Sequence, residues 1–194
     1  VSSPAGSKEE ITYDTQGHEH PAPGSQQIPR VLKHLVLPRF EQPALEHHYT
    51  YSSENFLGFG AGGFEWEDDG QDNLYKVLTD YTYTSTQSLI VNDIAVRTQT
   101  RTFNRYHLLI LDVTAQNGHV YRVITEYAIN VNQPFHQQRA YCQLPVKSTQ
   151  TWYLEDDINQ LRSIRHSSTY NNRGLLTSQT YDTGMVEHYT YYSP

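Results

Sequence analysis

Glu65, Glu67, Asp68, Asp69 and Asp72 place five carboxylates within eight positions. Hard cations such as calcium take several oxygen ligands at short range, so this run is the first place to look for a metal. It fails the calcium-loop pattern, because Gly70 comes too early and no glutamate follows at the required distance. The run is expected to be a solvated acidic loop between strands. His18-Glu19-His20 is the second candidate, since an extended chain points His18 and His20 to one side. The surrounding DTQGHEHPAPGSQQIPR is rich in proline and glycine, a poor frame for preorganising ligands, and no third ligand can be nominated. These and His47-His48 are read as surface histidines. Cys142 is the only cysteine, so it cannot form an internal disulfide, and it is read as a buried, inert thiol.

Nucleophilic and phosphate chemistry find no better support. There is no G-x-S-x-G elbow, and Gly58 to Phe64 (GFGAGGF) is neither a dinucleotide fingerprint nor followed by the Lys-Ser/Thr of a phosphate loop. That stretch is read as a bend or bulge where backbones approach closely. Carboxylate pairs for sugar hydrolysis can be drawn in too many ways to choose one. No catalytic, cofactor-binding or metal-ligating residue is therefore assigned, and the expectation is a protein that is not an enzyme and needs no cofactor.

The elements that would position any site are strands. YRVITEYAINV puts Tyr121, Val123, Thr125, Tyr127, Ile129 and Val131 on one face and Arg122, Glu126 and Asn130 on the other, a period of two. Asn117-Gly118 just before it is a strong hairpin signal, which makes Tyr106–Thr114 the partner of Val120–Val131. YKVLTDYTYTSTQ and VRTQTRTFNRY alternate in the same way, with Asn92-Asp93 as the turn between them. Arg97, Arg101 and Arg105 share one face of the latter and are expected to pair with acids across strands. Ile158 to Arg165 is the best helical candidate, and it is short. The fold expected is all-β: a meander of long antiparallel strands in an open, curved sheet with little helix. Residues 1–30, including the apolar-poor opening, are expected as an extended or loop segment, with the sheet occupying 31–194.

Composition narrows the partners. Sixteen tyrosines against six phenylalanines and two tryptophans suit pleated, half-buried surfaces. A formal charge of −7 argues against a broad nucleic-acid footprint, which needs clustered Lys and Arg. No apolar run approaches the length of about 20 residues that spans a bilayer. The opening VSSPAGSKEE has no signal-peptide pattern, and the chain reads as a segment of a longer polypeptide.

The remaining motif is YNNRGLLTSQTYDTGMVEHYTYY, residues 170–192, which is Y-x3-G-x-L-T-x6-G-x4-Y-x-Y. Tyr170, Gly174, Leu176, Thr177, Gly184, Tyr189 and Tyr191 resemble, in order and spacing, the repeat of the Rhs or YD-repeat proteins. These include bacterial Rhs toxins, the B and C components of insecticidal Tc toxin complexes, and animal teneurins. Asn171 stands where that family usually has Asp, which keeps the turn chemistry. Tyr13-Asp14-Thr15-Gln16-Gly17 copies the start of the unit without its second glycine, and YTYSSENFLGFGAGGFEWED and TRTFNRYHLL are similar to other segments of these proteins. The resemblance implies a ribbon of β-hairpins forming a shell around a toxic C-terminal polypeptide. It also implies secretion or a cell-surface location as part of a toxin complex. The family's D-P-x-G-type self-cleavage motif is absent from this sequence, so no self-cleavage is expected. Expected partners are the remainder of the larger polypeptide and its effector, and open edges invite self-association. The alternative is a carbohydrate-binding β module in which exposed tyrosines, Trp66 and Trp152 stack on sugar faces.

Overall fold

In the computed structural model, which describes residues 6–38, 42–63 and 65–192, tight turns form where the Asn-rich dipeptides stand. Phe64 of the glycine-dense stretch, and residues 1–5, 39–41 and 193–194, lie outside the described residues. Asn92 and Asp93 adopt φ of 50° and 61°, and Asn117 and Gly118 adopt 51° and 74°. Left-handed geometry at both central positions matches the twist of the flanking strands, which is why such pairs close two-residue hairpins.

Repeated reversal builds one sheet of 11 strands, each pairing antiparallel with its sequence neighbours. They are β1 (Lys8–His18), β2 (Ile28–Leu37), β3 (Leu45–Tyr51), β4 (Thr82–Val91), β5 (Ile94–Asn104), β6 (Leu109–Gln116), β7 (His119–Tyr127), β8 (Pro145–Leu154), β9 (Asp157–Tyr170), β10 (Leu176–Tyr181) and β11 (Val186–His188). The order runs from β1 to β11 without closure, so the all-β, open antiparallel sheet expected from the sequence is the fold. Two short 3-10 turns, Asn73–Lys76 and Phe135–Gln137, are the helical elements among the described residues. No helix there is long and apolar enough to cross a membrane.

Several boundaries differ from the sequence reading. The sheet begins at Lys8 and β2 runs through position 30, so the opening segment pairs into the same layer. Ile158 to Arg165 lies within β9, where its apolar residues, three apart, imitate a helical stripe while the backbone pairs with β8. β6 starts at Leu109 because Asn104 to Leu108 are used in a turn. β7 stops at Tyr127 because the next residues leave the ladder and turn their carbonyls to Arg105.

Strand registers define two faces. One cross-strand row runs Tyr49, Gln87, Gln99, Thr114, Tyr121, Trp152, Arg162. The row beside it, on the other face, runs Thr50, Thr86, Thr100, Val113, Arg122, Thr151, Ser163. Thr86 and Thr100 share a hydroxyl hydrogen bond of 2.9 Å, and Thr151 and Ser163 share one of 3.1 Å. Most side chains on both faces stay half-exposed. The apolar cluster of Leu74, Val77 and Tyr81 forms instead within the long β3–β4 connection.

A meander sends alternate connections to opposite ends. At one end stand the short connections β4–β5, β6–β7 and β8–β9, each of two residues. At the other stand residues 52–81, 105–108, 128–144 and 171–175. This loop-bearing end holds Leu74, Val77, Tyr81, Tyr106 and Cys142, so most of the buried apolar side chains among the described residues gather there.

Candidate functional site

The repeat motif folds as two consecutive turns. Tyr170 ends β9, and Asn171 to Leu175 reverse the chain into Leu176 and Thr177 of β10. The Asn171 side-chain oxygen accepts from the backbone N–H of Arg173 at 2.9 Å and of Leu175 at 3.0 Å. Asn171 N–H donates to the Leu175 carbonyl, and Gly174 N–H to that of Asn171, both at 2.9 Å. Gly174 takes φ of 78°, which a side chain resists. The register then slips between Leu176 and Ser178, leaving Thr177 as a bulge.

A second copy of this device stands between β5 and β6. Asn104 Oδ1 accepts from Tyr106 N–H at 2.9 Å and Leu108 N–H at 3.1 Å. Asn104 N–H donates to Leu108 O at 3.0 Å, and His107 N–H to Asn104 O at 2.9 Å. His107 occupies the position of Gly174 with φ of 58°. Phe103 pairs with Leu109 and Thr102 with Leu111, the same slip by one residue. Phe103-Asn104-x-x-His107-Leu108-Leu109 and Tyr170-Asn171-x-x-Gly174-Leu175-Leu176 are thus one turn-and-bulge unit in two places.

Gly184, with φ of 83°, closes the next turn: Gly184 N–H donates to Tyr181 O and Tyr181 N–H to Met185 O, both at 2.9 Å. Tyr189 follows β11, and its hydroxyl donates to Glu187 at 2.6 Å while that of Tyr181 donates at 3.0 Å. The bond to Glu187 moves the Tyr189 phenol up to about 12 and holds the Glu187 carboxyl below its usual range. Tyr170 donates to Pro145 O at 2.8 Å, and its ring lies 5.7 Å from that of Tyr141, so it fixes the β7–β8 loop. Tyr191 is half exposed. Thr177 bonds the Thr169 hydroxyl at 2.8 Å, so the contacts of the motif join strand to turn and strand to strand.

Arg105 was not recognisable from sequence as the centre of the loop-bearing end. It sits in the β5–β6 turn, 3% exposed, rather than on the solvated strand face with Arg97 and Arg101. Its guanidinium donates to the carbonyls of Val77, of Thr79 at 3.5 Å, of Val131 at 2.9 Å, of Asn130 at 3.3 Å and of Gln133 at 3.1 Å. It also donates to the Tyr106 hydroxyl at 2.8 Å. One cation thereby gathers the β3–β4 and β7–β8 connections over one hairpin turn. Arg101 keeps its expected place and meets Asp112 across strands at 3.7 Å.

Beside it runs an Asp-His-Tyr chain. His107 Nε2 lies 2.5 Å from Asp72, and Nδ1 lies 2.8 Å from the Tyr83 hydroxyl. Burial pushes the Tyr83 phenol up to about 12, with the Asp72 charge adding to the effect. A phenol held protonated is a poor base or nucleophile at neutral pH. Asp72 also accepts from Leu74 N–H at 2.9 Å, as cap of the first 3-10 turn. The chain of bonds pins loop, turn and strand together.

The other candidates are taken up by packing. Lys76 meets both Glu67 and Asp69 at 2.7 Å, and Asn73 bonds the Glu67 backbone in both directions. His18 packs edge-on to Tyr51 and Phe56, and His20 Nδ1 accepts from Ala22 N–H at 3.1 Å, so the two imidazoles do different work. His47 and His48 point to opposite faces, as neighbours in β3 must. No group of three metal-ligating side chains occurs among the described residues. Cys142 is buried, in a turn rather than a strand, and burial pushes its thiol up.

For sugars, the decisive residue is Trp152. Tyr121 and Arg162 are its cross-strand neighbours, with the Tyr121 ring 5.1 Å away at 30° and the Arg162 guanidinium 6.0 Å from the indole centroid. The indole is 37% exposed and lines, with Tyr121, Tyr153 and Arg162, an open cavity of about 580 Å³. Trp66 lies in the β3–β4 connection at the opposite end, with the His20 ring edge-on at 4.7 Å. The two indoles therefore form no common platform. No protein-family model and no curated protein matches this chain.

Proposed function

We propose that this chain is a non-enzymatic wall segment of an Rhs/Tc-like bacterial toxin protein, part of a β shell that confines a toxic C-terminal effector. The observation that carries the reading is the turn-and-bulge unit at Asn104 and again at Asn171, which accounts for the motif at residues 170–191 as scaffold. Layering supports it as well. Globular domains bury one sheet face against a second layer, whereas both faces here stay half-exposed and most buried apolar groups lie in loops at one end. A sheet of this kind suits a wall with one side to a lumen and one to solvent. Confinement needs no reacting group, only a continuous backbone ladder between effector and exterior.

In this reading the partners are the rest of the polypeptide, its effector and, for the isolated segment, a second chain paired along β1 or β11. The location is outside the producing cell or at its surface, within a toxin complex. The carbohydrate-binding alternative is less favoured because Trp66 and Trp152 stand at opposite ends of the sheet and offer no shared stacking platform. Sequencing the coding region on both sides tests the proposal. Further Y-x3-G-x-L-T units and a non-repetitive C-terminal region are expected; flanking sequence of unrelated helical or enzymatic character would overturn it.

A further inference from the structure

The first three strands carry imidazoles placed where a second charge is hard to accommodate. His34 of β2 and His47 of β3 are direct cross-strand partners, their rings stacked 6.4 Å apart at 28°. His47 Nδ1 is buried without a hydrogen-bond partner. Beyond it lie Leu89 of β4, its cross-strand neighbour, and Arg97 of β5, which with Gln87 and Gln99 line a small cavity of about 110 Å³. At the far end of the same strands, His18 of β1 packs edge-on between Tyr51 of β3 and Phe56, its Nδ1 also buried and unpartnered. Arg30 of β2 stands over the Tyr51 ring at 5.5 Å.

Each node faces an arginine, Arg97 at His47 and Arg30 at His18, and Glu19 lines the same cavity as His18 and Arg30. Burial holds both imidazoles below the ordinary value of 6.5, and the neighbours that add to it are His34 and Arg97 for His47 and Arg30 for His18. The carboxylates on neighbouring strands have other partners. Glu9 of β1 meets His34 at 3.2 Å, and Asp14 meets Arg30 at 3.2 Å. Glu46, Lys33 and His48 form their own cluster. Protonating His47 sets it against His34 and Arg97; protonating His18 sets it against Arg30.

We propose that β1–β3 is an acid-released flap: charging His18 and His47 loosens these three strands from β4 as a unit, while β4–β11 stays paired. The remaining sheet keeps its own supports, since Arg105 and the Asp72–His107–Tyr83 chain lie on β4 and beyond or on the loops over them. The proposal does not depend on the shell reading.

Hydrogen exchange on the whole chain tests it, compared at about pH 7.5 and about pH 5.5 after correction for the intrinsic pH dependence of amide exchange. Opening of β1–β3 is expected to rise roughly tenfold on acidification, with β5–β8 unchanged. The double substitution His18→Phe and His47→Leu should keep β1–β3 protected at both pH values. Uniform loss of protection along the sheet, or an acid response that survives the double substitution, would overturn the proposal. Should that variant fail to fold, imidazole titration by NMR in the unsubstituted chain decides. Loss of β1–β3 protection that tracks the His18 and His47 titrations supports the flap, and loss of protection at a pH where both imidazoles are still neutral sinks it.

Discussion

Five backbone carbonyls, from Val77, Thr79, Asn130, Val131 and Gln133, converge on the Arg105 guanidinium. A planar cation with several fixed donors can satisfy such a set, while an ammonium offers fewer donors at one point. Truncation leaves those carbonyls without their shared donor. Arg105→Ala is expected to lower stability by about 3 kcal/mol in urea unfolding, and Arg105→Lys by roughly half as much. Equal stability of Arg105→Ala and the parent would contradict the assignment of Arg105 as the centre of the loop-bearing end. Sequence alternation placed this arginine with Arg97 and Arg101 because it shares their spacing. It departs from them because the strand ends at Asn104, and its carbonyl partners lie more than twenty residues away in loops without periodicity.

Among elements, the hairpin connections divide into those legible in sequence and those set by distant contacts. Asn92-Asp93 and Asn117-Gly118 announce their turns because few residues tolerate φ above zero. The Asn171 turn was legible through its glycine and tyrosines. Its counterpart at Asn104 was visible only as a family-like phrase, since His107 replaces the glycine and the shared asparagine cap was not the feature sought. The β9 strand was obscured by Ile158, Leu161 and Ile164, whose spacing mimics a helix. Two glycines give element-level tests. Gly174→Ala should cost about 1 kcal/mol, because alanine resists its φ of 78° while its nearest neighbour, Leu144, leaves room at 3.7 Å. Gly17→Ala should cost about 3 kcal/mol, because a methyl group would stand 2.3 Å from Ile28 O and 2.7 Å from Arg30 N. Thermal unfolding of the two variants should therefore separate them clearly. The reverse order would show that the β1–β2 register shift is not held as described.

At the scale of the whole molecule, stability should have a plateau bounded on both sides by buried titrating groups. His18 and His47 have folded values below 6.5, so the unfolded chain binds more protons as pH falls, and stability drops on acidification. Tyr81 and Tyr83 are moved by burial from 10 to about 12, so the folded chain holds more protons between those values, and stability drops as pH rises through them. Urea midpoints should be highest from about pH 7 to about pH 9 and fall on either side. A midpoint that keeps rising below about pH 6 would contradict the histidine assignment.

The edges of the sheet carry a further expectation, because β1 and β11 each leave one side of a backbone ladder unpaired within the described chain. Light scattering on the isolated segment should show mass increasing with concentration, and a strict monomer throughout would count against edge pairing. The most direct test of the shell proposal is electron cryo-microscopy of the natural gene product, captured with an antibody to residues 170–192. The account predicts that β1–β11 form part of the wall of a hollow β shell with polypeptide density inside. A segment whose two faces both meet solvent, or pack against a filled second layer with no lumen, would contradict it.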